Sequence, residues 1–139
     1  MATTATVDTA TRILDVAEEL VQTRGLNAMS YGHVSARVGI TNASLHYHFP
    51  AKADLTTALV TRYSARFYAA LDEIEQTKPD VADRLRAYAQ LYAAVLARGR
   101  MCLCGMLASD YETLAPEARD QVSAFFEHSY AWLVLVSHL

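Results

Sequence analysis

Gly39-Ile40-Thr41-Asn42-Ala43-Ser44-Leu45-His46-Tyr47-His48-Phe49-Pro50 carries the strongest local signals in the chain. Gly39 is suited to end a helix, because glycine takes the left-handed turn that follows a last helical residue. Upstream of it, Ser30 can cap a short helix that carries Val34 and Val38 inward. Downstream, Thr41 or Asn42 can cap the next helix, and Pro50 closes it. Only Gly39-Ile40-Thr41 separates the two. A three-residue, Gly-containing turn between two short helices is helix-turn-helix spacing, with Ile40 directed into the angle.

Outward from this pair, the helical period continues. Asp8 or Thr9 can cap a first helix with Ile13, Val16, Ala17, Leu20 and Val21 on one face, stopped at Gly25 by a left-handed turn with Leu26 folding back. After Pro50 a longer helix starts near Ala51 and keeps Leu55, Leu59, Tyr63, Phe67, Ala70, Leu71 and Ile74 in register, long enough to join a head rigidly to a body. Thr77-Lys78-Pro79-Asp80 reads as a linker whose Asp80 caps a fifth helix carrying Val81, Leu85, Tyr88, Leu91, Tyr92 and Val95. Gly99 ends it, residues 101–112 hold a short helix, and Pro116 opens a seventh with Val122, Phe125, Phe126, Ser129, Trp132, Leu133 and Val136 inward. No alternating run of strand length occurs. The expected fold is all-α: an N-terminal tail and helix-turn-helix head over residues 1–50, then a helical body over residues 51–139, joined by the long fourth helix.

A chain of 139 residues suits one compact unit with a small head. It is 53% hydrophobic and 19% charged, yet nothing approaches the ~20 unbroken apolar residues of a bilayer span. Met1–Val7 has neither a basic start nor an apolar core, so it reads as a frayed tail and not as an export signal, and the expected location is the cytoplasm. Cys102 and Cys104 are poorly spaced to bridge each other and fit a reducing compartment. The net charge of −3 excludes indiscriminate coating of nucleic acid. Its distribution is uneven, however: between Leu20 and Ala53 there is no acid, while Arg24, Arg37 and Lys52 are basic and His33, His46 and His48 can add to them.

The run from Gly39 to Leu55, with its Gly-aliphatic-small polar opening, Ser44-Leu45, His48-Phe49 and then Lys52 and Leu55, resembles the helix-turn-helix signature of the TetR (AcrR-like) repressor family. Val34-Ser35 stands where that family usually has Ile-Ala. The resemblance covers residues 10 to about 60, and the stretch Cys102-Leu103-Cys104-Gly105-Met106-Leu107 with Leu114-Ala115-Pro116 is similar to one branch of the family. His46 replaces the tyrosine most members carry, so a phosphate contact normally made by a phenol would come from the imidazole or from Tyr47. Members usually continue into further helices that build the dimer interface. Ending at Leu139 inside the seventh helix, this body is expected to be shortened and incomplete.

In a helix-turn-helix, the N-terminal residues of the third helix face base edges in the major groove. Thr41, Asn42, Ala43 and Ser44 are the candidates: asparagine can pair bidentately with adenine, a hydroxyl serves several bases, and Ala43 allows close approach to a thymine methyl. Phosphate contacts fall to Tyr47, His48, Lys52 and Ser30 with its helix N-terminus, joined by His46 and Tyr31. The alternative is that Tyr47 and His48 pack the head and that Thr41 or Asn42 merely caps. His46 and His48 point to different sides of a helix, which argues against a metal pair, and no metal or cofactor is expected.

In the body, Tyr63, Phe67, Tyr88, Tyr92, Cys102, Met106, Phe125, His128 and Trp132 could line an apolar cavity with a few polar handles, or simply form core. The cysteines could sense redox or electrophiles, Cys102 lying close to Arg100, or serve as small buried hydrophobes. No phosphate loop or nucleophile pattern supports an enzyme. The resemblance implies a homodimer that binds palindromic double-stranded operator DNA, is released by a small-molecule effector and has no membrane partner. A truncated helical DNA-binding or protein-interaction module without sensing remains open, as does a ligand-binding protein with a vestigial head.

Overall fold

A computed structural model describes residues 8–138; the tail expected over Met1–Val7 and the terminal Leu139 lie outside them. Among the described residues there are seven α-helices, two short 3-10 turns and no strand. The head comprises α1 (Thr9–Arg24), α2 (Tyr31–Val38) and α3 (Asn42–His48), and the body comprises α4 (Lys52–Thr77), α5 (Val81–Ala97), α6 (Leu103–Ala108) and α7 (Pro116–Ser137).

Each boundary has a local cause. Asp8 accepts from Thr11 N at the start of α1, Ser30 from His33 N at α2, Thr41 from Ser44 N at α3 and Asp80 from Asp83 N at α5, satisfying donors that have no intrahelical partner. Thr41, and not Asn42, is therefore the cap of α3. Gly39 takes the expected left-handed turn at φ 85°, ψ 35°. Gly25 does not: at φ 88° and ψ 171° it occupies a region essentially reserved for glycine. The chain leaves α1 extended and enters a 3-10 turn at Leu26–Ala28. The short helix expected over 101–112 shrinks to α6 and a second 3-10 turn at Tyr111–Thr113.

One apolar cluster runs through head and body. Ile13, Ala17 and Val21 of α1, Val34 of α2, Leu45 of α3 and Leu55 and Leu59 of α4 are fully buried, as are Leu103, Leu107 and Phe125 farther along. At about 1.5 Å per residue, the 26-residue α4 is about 39 Å long and spans both regions. It packs chiefly on α7, while α1 packs on α2, α4 and α6.

Two sequence expectations fail here. No residue of α5 is buried, and Leu85 is exposed, because α5 lies against α4 and α7 at the edge of the bundle, where Ala87, Tyr88, Leu91 and Tyr92 pack on the core but stay partly exposed. Phe126 also leaves the inner side of α7 and is 39% exposed, since Val122, Phe125, Ser129, Trp132 and Val136 already fill that stripe.

Polar contacts fasten head to body. Arg62 of α4 donates Nη1 to Asp15 at 2.7 Å and Nη2 to Glu18 at 2.8 Å. Burial lowers its basicity, but hydrogen bonds and charge from Glu18 and Asp15 outweigh that and raise the pKa. Arg100 reaches Gln22 and Glu19 at 3.2 and 3.5 Å, and Met101 N donates to Gln22 O at 3.0 Å.

Candidate nucleic-acid interface

Helix α3 is anchored by one side chain and presents most of the others. Leu45 is its single buried residue. Thr41, Asn42, Ala43, His46 and Tyr47 are exposed, Tyr47 to 83%, while Ser44 and His48 are half-buried. Small residues at the leading end and an outward phenol near the trailing end suit a helix that meets a groove with its first turn and a backbone with its last.

Several predicted contact residues have partners inside the head. Ser35 of α2 donates its hydroxyl to the Asn42 side-chain carbonyl. This leaves the Asn42 amide hydrogens outward and gives Asn42 a second task, holding α3 against α2. Tyr31 donates its hydroxyl to Phe49 O at 2.8 Å, so its proton braces the end of α3. Burial, with help from the Asp54 charge, pushes that phenol up to about 12 and keeps it a donor. The His46 ring lies 4.7 Å from that of Tyr31, centre to centre, and its Nδ1 sits 3.1 Å from Pro50 O. The Tyr47 and His48 rings meet edge to face at 5.2 Å. Ser30 caps α2, so its hydroxyl is engaged while that helix N-terminus stays near the surface.

Lys52 opens α4 with an exposed side chain, and partial burial of the amine lowers its pKa. Asp54 accepts from Ala51 N at 2.9 Å and sets the start of that helix. Arg12 donates to Val38 O and ties α1 to the end of α2. Sequence reasoning missed Arg12, Asp54 and the Arg62 junction. Only the acidic face of the first helix, Asp15-Glu18-Glu19, hinted at the junction, since its partners lie 44 and 47 residues away.

In the body the predicted aromatics do meet, but as packed rings and not as the wall of one cavity. Phe67 lies 4.9 Å from Phe125, 6.1 Å from Tyr88 and 5.9 Å from Tyr92, and Tyr88 stacks on Trp132 at 5.7 Å. Tyr88 and Tyr92 share a hydrogen bond at 3.3 Å. His128 does not converge with Tyr63, Tyr88 and Tyr92: it is exposed and stacks on Tyr68 at 3.8 Å, because it lies on the flank of α7 that faces α4. The neighbourhood of Cys102 and Met106 is likewise tight, both being partly buried against the core. Burial, reinforced by Cys102, pushes the Cys104 thiol up, which favours the hydrophobic role over a reactive thiolate. Burial, then Cys102, raises the Tyr63 phenol in the same way.

Four of the predicted lining residues border open clefts. Tyr63 and Phe67 flank one of about 210 Å³ between α1, α4 and α5, and His128 and Trp132 flank another of about 250 Å³. A larger cleft of about 470 Å³ lies between the far ends of α4 and α5, among Ile74, Lys78, Asp83 and Arg86, and contains none of the expected ligand residues. No helix among the described residues is long and apolar enough to cross a membrane.

The comparisons with known proteins converge on this head-and-body arrangement. The family described as "Bacterial regulatory proteins, tetR family" matches residues 13–59, the span from α1 into α4. A nucleoid occlusion factor SlmA from Marinobacter nauticus is 30% identical over 116 residues, which is 83% of this chain and 59% of that protein, so the chain spans less than two thirds of this curated relative. The crystal structure of a TetR-family transcriptional regulator from Agrobacterium tumefaciens superposes with a TM-score of 0.89 at 36% identity, covering 94% of this chain and 70% of that one. A TetR transcriptional regulator from Legionella pneumophila gives a TM-score of 0.86 at 33% identity over 96% of this chain and 73% of its own. With the helix-turn-helix geometry, the family match and two relatives of this similarity in agreement, the chain belongs to the TetR family of transcriptional regulators.

Proposed function

We propose that the chain is a DNA-binding regulator that represses transcription by seating two copies of α3 in successive major grooves of a palindromic operator. One observation carries this reading: α3 buries Leu45 alone and turns Thr41, Asn42, Ala43 and Tyr47 outward. In this reading Asn42, Ser44 and the Thr41–Ala43 edge read bases. Tyr47, His48, Lys52 and the α2 N-terminus at Ser30 meet phosphates, and Tyr31 and His46 position them. A homodimer fits the two-fold symmetry of such operators. The effector response belongs to the same proposal: a ligand releases the operator only to the extent that it binds the DNA-free arrangement more tightly.

The test is selection of bound duplexes from a random pool, followed by titration of the selected sequence and a scrambled one while light scattering follows stoichiometry. Two protomers on a palindrome, bound at least a hundredfold tighter than the scrambled duplex, is the expected result. Equal affinity for both duplexes would remove the regulator reading. A second reading, a helical module that associates through the body, draws on the exposed apolar side chains of α7, where Tyr130 is 71% and Leu135 56% exposed. It predicts self-association without any sequence preference in the same experiment.

A further inference from the structure

Where α1 of the head meets α4 and α5 of the body, two clefts share a border. One, of about 290 Å³, is lined by Arg62, Arg66, Arg98 and Arg100 opposite Asp15, Glu18 and Glu19. The other, of about 210 Å³, continues inward past Tyr63, Phe67, Ala70, Leu91 and Val95. Glu18, Arg66 and Arg98 belong to both, so the clefts form one trough, polar at its mouth and apolar at its back.

The guanidinium groups at the mouth are not all matched. Arg62 pairs with Asp15 and Glu18, and Arg100 with Glu19, which uses all three carboxylates. Arg66 and Arg98 have no ion-pair partner among the described residues. Arg62 Nε is buried and makes no hydrogen bond, an arrangement that costs free energy. Planar, multi-donor guanidinium groups suit a carboxylate, which can accept from two of them at once. The aromatic and aliphatic back wall suits a hydrocarbon or ring attached to it. The mouth does not belong to the DNA-facing surface: Arg62 and Arg66 lie ten and fourteen residues beyond Lys52, about 15 and 21 Å along α4.

We propose that this trough binds a small amphipathic carboxylate, with its head group between Arg66 and Arg98 and its apolar part against Tyr63, Phe67 and Leu91. The incoming carboxylate competes with Glu18 for Arg62, and that pair is one of the contacts holding α1 to α4. Occupancy therefore loosens the joint through which the body positions the head. The effector role rests on the regulator reading above, whereas binding to the trough does not.

Isothermal titration of the DNA-free protein tests the site, with octanoate and 3-phenylpropionate as probes, 1-octanol as the probe without a charge and acetate as the probe without an apolar part. Saturable binding of at least one of the first two is expected, at least tenfold tighter than either 1-octanol or acetate. The exposed pair Arg66→Gln/Arg98→Gln should weaken it at least tenfold while leaving the melting temperature of the free protein unchanged. Binding that ignores the double substitution, 1-octanol as tight as octanoate, or no saturation with either carboxylate overturns the site. With the selected operator, saturating carboxylate should weaken the parent's DNA binding at least tenfold and leave the double variant's unchanged; equal loss in both overturns the effector role. Carboxylate binding that depends on the arginines in a protein without operator preference would remove the regulator reading and leave the trough standing.

Discussion

Helices α3 and α5 both keep most of their side chains in water, yet they are held in opposite ways. Helix α3 has a single buried residue, Leu45, and its orientation is set by discrete polar contacts: the Thr41 cap, the Ser35–Asn42 bridge and the Tyr31 hydroxyl on Phe49 O. Helix α5 buries nothing completely and rests on broad, half-buried ring contacts of Tyr88 and Tyr92 with Phe67 and Trp132. Directional bonds define one angle and tolerate little displacement, whereas apolar contact has no direction and survives small slides. The head is thus built to present a surface in one orientation. The edge of the body is built to adjust.

Several substitutions break or sharpen this contrast. Leu45→Ala should have the largest effect, about 2–5 kcal/mol in denaturant unfolding, because it removes the only apolar anchor of α3 and leaves a cavity. An effect below about 1 kcal/mol would mean that the polar contacts hold α3 by themselves. Next, Asn42→Ala should relax operator preference by about 1–3 kcal/mol at one base pair. Ser35→Ala, which removes the bridge but keeps the amide, should lose less of it; equal losses would reduce Asn42 to a brace.

Tyr31→Phe should cost about 1 kcal/mol of stability, the net worth of an ordinary hydrogen bond. It should also make the alkaline fall in stability shallower. The folded phenol titrates near 12 and the unfolded one near 10.0, so both are protonated below the lower value. As pH rises from there, the unfolded state loses its proton first and stability falls until the folded group ionises too. A melting-temperature profile from pH 9 to 12 identical to the parent's would mean that the Phe49 contact is idle.

Smaller still, Lys52→Ala should weaken all duplexes alike and flatten the slope of log affinity against log salt by about 0.9, the value for one phosphate contact. A change confined to one sequence would contradict its positioning role. Tyr88→Phe on the adjustable helix should stay within about 0.5 kcal/mol, since its hydroxyl reaches only that of Tyr92 at the rim of the bundle.

The all-α class, the order of the helices and the helix-turn-helix were legible along the chain, because caps, glycine stops and the 3.6-residue period act between neighbours. Asp8, Ser30, Gly39, Asp80 and Pro116 each work within a turn of their own position. Which apolar residues reach the core was less legible: period alone placed Phe126 inside and gave α5 a buried face. The stripe on α7 was already filled, and the edge position of α5 depends on helices elsewhere in the chain.

Sequence by itself determined that residues 30–49 make two short helices around a glycine turn, and that the third carries small polar residues at its start and aromatic ones at its end. Only the tertiary structure decided which of those side chains are free and what holds the head in place: Asn42 shares its carbonyl with Ser35, Tyr31 donates its hydroxyl to Phe49 O, and Arg62 of α4 pairs with an acidic face 44 residues or more away. The division is physical. Local backbone geometry is settled by residues a turn apart, while the partner of a polar side chain is settled by whichever distant segment packing brings within about 3 Å.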